Sequence, residues 1–225
     1  MNGLIIIPAF QAGQYLGNVL RQIFADERFS DDVLVVNDGS TDDTEAIARL
    51  HGVHVLSHPE NRGKGAALKS GFSFAVHNHF TYVICLDADG QHHPDAILDF
   101  ISLYETGKYD LIIGTRKIAI GEMPFDRYLS NSLTSVVVSI VAGKRIHDSQ
   151  SGYRLLSVDL IRKLQLKTHQ YETETEILLQ AIRHFHARVG EVPITVSYTG
   201  ETSHINRFSD TLRFIKIVIK ILGSF

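Results

Sequence analysis

The chain has 225 residues, 44% hydrophobic and 21% charged, with a formal net charge of -3. That length suits one large domain whose core needs no disulfide or structural metal, and the charge argues against a surface built for nucleic acid. A single cysteine, Cys85, excludes an internal disulfide and lies in an apolar run, where it reads as a small core residue.

Leu4–Ile7 is a short apolar run ended by Pro8, with no basic leader or cleavage site, so no signal peptide is expected. No apolar stretch approaches the ~20 residues of a membrane-spanning helix. The expected location is the cytoplasm, with peripheral attachment to the inner face of the membrane as an option.

Leu4–Ile7, Val33–Asn37, Val53–Ser57, Tyr82–Asp87 and Asp110–Gly114 are short runs rich in β-branched residues. Between them, segments such as Tyr15, Val19, Ile23 and Phe24, or Ala96, Ile97, Phe100 and Leu103, carry helical spacing. Buried strands alternating with helices predict an α/β fold: a Rossmann-like, mainly parallel sheet with helices on both faces. Pro94 is expected to open a helix. Farther on, Arg127–Ala142 and Glu172–Phe185 read as helices and Val189–Tyr198 as extended chain. The predicted organisation is one catalytic domain over residues 1–208, followed by an amphipathic helix over 209–225.

In an open parallel sheet, ligands bind beyond the carboxyl ends of the strands. Pro8-Ala9-Phe10, Asn37-Asp38-Gly39-Ser40, Asp87-Ala88-Asp89 and Gly114-Thr115-Arg116 all fall at such ends. Asp38–Thr41 taken alone reads equally as a turn and helix cap. Asp87 and Asp89 are different, because two carboxylates one residue apart after a buried strand can converge on a hard divalent cation, Mg2+ or Mn2+. Gln91 can add an amide oxygen. His92 and His93 invite a zinc reading, but adjacent histidines on a turn rarely face one ion.

Asn61-Arg62-Gly63-Lys64-Gly65 fits neither a P-loop nor a dinucleotide fingerprint after the first strand. Lys64 at a helix start can still meet a ribose, base or phosphate, or the turn can serve helix packing.

These segments, in this order, resemble the family 2 glycosyltransferases of the GT-A fold. The resemblance continues through Gly114-Thr115-Arg116, Asp148–Arg154, Glu172–Glu176 and Glu191–Ile194, where it is similar to the dolichyl-phosphate mannose synthase and polyprenyl-phosphate sugar transferase branch. It implies that Pro8, Phe10 and Asp38 line a nucleoside pocket, that Lys64, Asp87 and Ala88 meet the nucleotide, and that Asp89 and Gln91 hold the cation. It further implies that Arg116 and Arg154 approach acceptor phosphates. Ala12 stands where the family's first motif has an acid, which leaves one nucleoside contact open.

The implied reaction is inverting transfer of a sugar from a UDP- or GDP-sugar, with polyprenyl phosphate the favoured acceptor. A phosphate acceptor needs no general base, whereas a saccharide hydroxyl would need one. Asp148 is the candidate base, with a cap or a salt bridge to Arg154 as its structural alternative. An inactive nucleotide-binding module is the third reading, disfavoured by the Asp87/Asp89 pair and by Arg154. A nucleotidyltransferase is disfavoured because Pro8-Ala9-Phe10 stands where a Gly-rich, arginine-containing loop would be needed. In Leu212–Leu222, Arg213, Lys216 and Lys220 form one stripe on an otherwise apolar helix, which could meet a membrane surface, the core or a second subunit.

Overall fold

A computed structural model of the chain describes residues 2–25, 32–116, 125–196 and Val218. The strands are β1 (Gly3–Ala9), β2 (Asp32–Asn37), β3 (His54–Ser57), β4 (Tyr82–Cys85), β5 (Leu111–Arg116), β6 (Arg154–Ser157) and β7 (Val189–Ile194). The helices are α1 (Gly13–Phe24), α2 (Thr44–Leu50), α3 (Lys64–His77), α4 (Ile97–Glu105), α5 (Phe125–Ala142), α6 (Val158–Ile161) and α7 (Glu172–Arg183). Pro94 starts the short 3₁₀ turn that leads into α4, as its missing N–H allows.

The described strands form one sheet in the order β3-β2-β1-β4-β6-β5-β7. Every neighbouring pair is parallel except those made by β6, which runs antiparallel to both β4 and β5. Successive side chains of β1 divide between two cores. Leu4 and Ile6 face a cluster built with α3, α5 and α7, while Ile5 and Ile7 face one built with α1 and α4. Such two-sided burial is why these strands read as unbroken apolar runs.

The expected strands and helices of the first half are present. β6 is not among the strands read from the sequence, and it occupies the middle of the sheet. Cys85 is buried there, and burial pushes its thiol up to about 12. Leu212–Leu222 lies outside the described residues apart from Val218, which is buried with the α3–α5–α7 core. Among the described residues no helix is long and apolar enough to cross a membrane.

Candidate active site

The parallel strands β1, β2 and β4 end on one rim of the sheet. Because β6 runs the other way, its start lies on that same rim, with Arg154 opposite both Cys85 and Ile113. The reversal brings Asp148–Tyr153 beside the chain that leaves β4.

At the β1 and β2 ends, Pro8 is half-buried and Phe10 is exposed. Gln11 stitches the two loops together: its backbone N–H donates to Ser40 Oγ, and its Oε1 accepts from the Thr41 and Asp42 amides. Asp38 is buried, and its carboxylate accepts from the backbone N–H groups of Arg62 (3.0 Å) and Gly63 (2.7 Å) and from His58 Nδ1 (2.6 Å). Gly39 is required beside it. Its φ is +72°, and a Cβ there would lie 2.3 Å from the Glu60 carbonyl carbon. Ala12 is buried and donates its backbone N–H to Thr44 Oγ1.

At the β4 end, Lys64 Nζ sits 2.6 Å from Asp87 Oδ1 and 2.8 Å from Glu174 Oε1. Burial alone would lower the lysine and raise Asp87, but their mutual attraction wins, so Lys64 is raised and Asp87 lowered. Gly152 closes over the trio, where a Cβ would come within 2.7 Å of Asp87 Oδ2, 2.8 Å of Lys64 Nζ and 2.9 Å of Glu174 Oε1. Ala88 is buried just beyond.

Asp89 and Gln91 are half-buried on the following turn, with the Gln91 N–H donating to Asp89 Oδ1. Their oxygen donors suit a hard divalent ion. Among the described residues no three His, Cys, Asp or Glu side chains converge as a metal cage, and Asp87 is engaged by Lys64. Asp89 and Gln91 thus offer oxygen donors of the kind a hard ion takes, but do not form a cage by themselves.

Across from this turn, Arg116 at the end of β5 grips Asp148 in a fork, Nε to Oδ2 at 2.6 Å and Nη2 to Oδ1 at 2.8 Å. Burial would raise Asp148, but the Arg116 hydrogen bonds and charge hold it below the usual carboxylate range. The neighbouring Ser149 is wholly buried and hangs its backbone N–H on Ser135 of α5.

Arg154, expected at the acceptor side, is instead buried within the sheet. Its Nε, Nη1 and Nη2 donate to the backbone carbonyls of Ser151, Glu174 and Ser149. A guanidinium that opens β6 between two strands can reach only the loop and helix above it. Nor does Arg154 pair with Asp148, whose partner is Arg116.

His92 belongs to the same neighbourhood. It is buried against Tyr153, with ring centroids 5.6 Å apart, and burial pushes its imidazole down to about 4. His92 Nδ1 and Ser151 Oγ are buried without a hydrogen-bond partner among the described residues.

Two features escaped the sequence reading. Glu174 lies in the run Glu172–Glu176, whose alternation with threonine conceals which acid turns inward. His58 follows β3 directly, and a strand-end histidine was the only signal for it.

Polar groups gathered beyond the carboxyl ends of the strands stand where an open α/β sheet binds its ligands. Glucosyl-3-phosphoglycerate synthase from Mycobacterium tuberculosis, solved with Mn2+, UDP and glucosyl-3-phosphoglycerate, superposes with a TM-score of 0.77 at 20% identity, covering 99% of this chain and 80% of that one. The fold is thus GT-A. The profile of Glycosyl transferase family 2 matches residues 4–165, and the chain belongs to that family. Among its relatives, the undecaprenyl-phosphate mannosyltransferase of Micrococcus luteus is 30% identical over 207 residues, 87% of this chain and 83% of that protein. The UDP-N-acetylglucosamine–dolichyl-phosphate N-acetylglucosaminyltransferase of Methanococcus voltae is 29% identical over 217 residues, 87% of this chain and 85% of its own.

Proposed function

We propose that the protein transfers a sugar from a nucleoside-diphosphate donor to a polyprenyl phosphate, inverting the anomeric carbon. The observation that carries the acceptor assignment is the Arg116–Asp148 fork. Asp148 is the carboxylate nearest to a base role, yet both its oxygens are bound by a guanidinium and its pKa is lowered. A carboxylate so held is a poor proton acceptor. An acceptor phosphate is already an anion and needs no base.

In this reading Pro8, Phe10 and Asp38 border the nucleoside, and the diphosphate lies along Asp87–Gln91. Asp89 and Gln91 would hold Mg2+ or Mn2+, which when bound supplies Lewis-acid stabilisation of the leaving diphosphate. Lys64 keeps Asp87 ionised and fixed from beneath. Arg116 would approach the acceptor phosphate, its guanidinium plane set by Asp148. The acceptor oxygen attacks the anomeric carbon opposite the leaving group, and the C–O bond to the diphosphate breaks as the new one forms. Arg154 serves this site from below, by tying the 149–151 loop to α7.

Two further points support a lipid acceptor. Relatives that match most of the chain are named for transfer to undecaprenyl and dolichyl phosphates. Val136 and Ile140, one turn apart on α5, are 54% and 75% exposed, an apolar strip on the helix that carries Ser135.

The test supplies labelled UDP- and GDP-sugars with Mn2+, with and without a short polyprenyl phosphate. Label should enter the organic phase only when the lipid phosphate is present. Label confined to an aqueous saccharide product would reject the lipid acceptor.

A further inference from the structure

His58 stands in a chain of buried polar contacts that the reaction itself does not use. Its Nδ1 lies 2.6 Å from Asp38 Oδ1 and its Nε2 lies 2.9 Å from Ser70 Oγ on α3. The side chains of His58 and Asp38 are only 5% and 3% exposed. A carboxylate can only accept, so Nδ1 carries the proton toward Asp38 and the ring orientation is fixed.

Three elements meet at this chain. Asp38 follows β2, with its own N–H donating to Ala9 O at the end of β1. His58 follows β3 and donates its backbone N–H to Asn37 O. Ser70 sits on α3, whose entry is tethered by the Arg62 and Gly63 amides to the same Asp38 carboxylate. Oδ1 thus receives His58 Nδ1 and the Arg62 amide, while Oδ2 receives the Gly63 amide. Removing the imidazole would leave a buried carboxylate with one donor fewer and a gap beside it. Both changes free Asp38 to rotate and slacken the 61–63 backbone.

We infer that His58 is a positioning residue for the nucleoside half of the donor, acting through Asp38 and the Arg62–Gly63 backbone and braced by Ser70. This rests on the reading that Asp38 borders the nucleoside. The diphosphate half, on Asp87–Gln91, lies at the end of a different strand and is reached from His58 only indirectly, through Gly63 and Lys64, whose ammonium Glu174 also anchors. The signature is therefore a loss much larger for ligands that carry a nucleoside than for a bare diphosphate.

The experiment measures binding of UDP, GDP and inorganic pyrophosphate to the Mn2+-supplied full chain by calorimetry. It compares the wild type with His58→Leu, His58→Asn, Ser70→Ala and Asp38→Ala. His58→Leu should weaken the preferred nucleoside diphosphate by about tenfold or more, the scale of one hydrogen bond to a charged group, and weaken pyrophosphate far less. His58→Asn, whose amide nitrogen stands near the place of Nδ1, should recover much of that affinity. Ser70→Ala should show a smaller loss of the same kind, and it supplies the reading if His58→Leu fails to fold.

Equal losses for nucleotide and pyrophosphate, or no recovery in His58→Asn, would overturn the inference. Asp38→Ala separates the two levels of the argument. If it keeps full nucleotide affinity, the nucleoside assignment of Asp38 fails and takes the inference with it. If it loses affinity while His58→Leu and Ser70→Ala do not, only the role of His58 is rejected.

Discussion

The Lys64 ammonium lies 2.6 Å from Asp87 Oδ1, binding the first turn of α3 to the chain that leaves β4. Glu174 of α7 shares that ammonium at 2.8 Å, so one buried cation separates two largely buried carboxylates. Lys64→Met leaves them facing each other without compensation and should cost ~3–5 kcal/mol of stability. Adding Glu174→Gln removes one of the stranded charges and should restore part of the loss. Urea unfolding of the two single variants and the double variant measures the coupling, and simple additivity would show that the three groups do not act as a unit.

Arg154 makes its contribution to stability rather than to phosphate contact. Its guanidinium fork spans three carbonyls that a single ammonium cannot serve together. Arg154→Lys should therefore cost at least ~2 kcal/mol in urea unfolding. A fully stable Arg154→Lys enzyme with a raised KM for the acceptor would return this residue to the acceptor side.

The Arg116–Asp148 pair predicts a definite dependence on pH. Asp148 is lowered in the folded protein, so its ionic contribution is complete above the unfolded carboxylate pKa and is lost as pH falls through the folded value. In Arg116→Met, burial, already the largest single influence, is no longer outweighed by the guanidinium and raises Asp148. The stability gap between wild type and variant should then be widest near neutrality and narrow as pH approaches ~4. A gap that stays constant from neutral to acid pH would mean that the fork contributes no charge-dependent stability.

Asp89→Ala should remove metal-stimulated transfer while the chain still folds, since Asp89 is half-buried on a turn outside the strands and helices. Transfer assayed with added Mn2+ and with EDTA checks this. Undiminished activity of Asp89→Ala in EDTA would reject a cation at this position.

The alternation of strand and helix was legible in the sequence because buried parallel strands must be continuously apolar, as Leu4–Ile7 and Leu34–Val36 are. The positions of Asp38, Asp87 and Arg116 followed from the same pattern, since each stands where such a run ends. Arg154-Leu155-Leu156-Ser157 was not legible as a strand. Its four residues are too short for a period, and the arginine at its head was read as a contact to an acceptor phosphate.

What the sequence determined alone was therefore the parallel strands, their carboxyl-end rim and the residue types gathered there, because burial and strand period are local constraints. Only the tertiary structure decided how those residues are used. The antiparallel entry of β6 carries Arg154 inward and swings Asp148 to Arg116, and α7 delivers Glu174 to Lys64 from over a hundred residues away in the chain. Such pairings follow from which backbones meet, and a charged residue's partner is set by that meeting rather than by its neighbours in sequence.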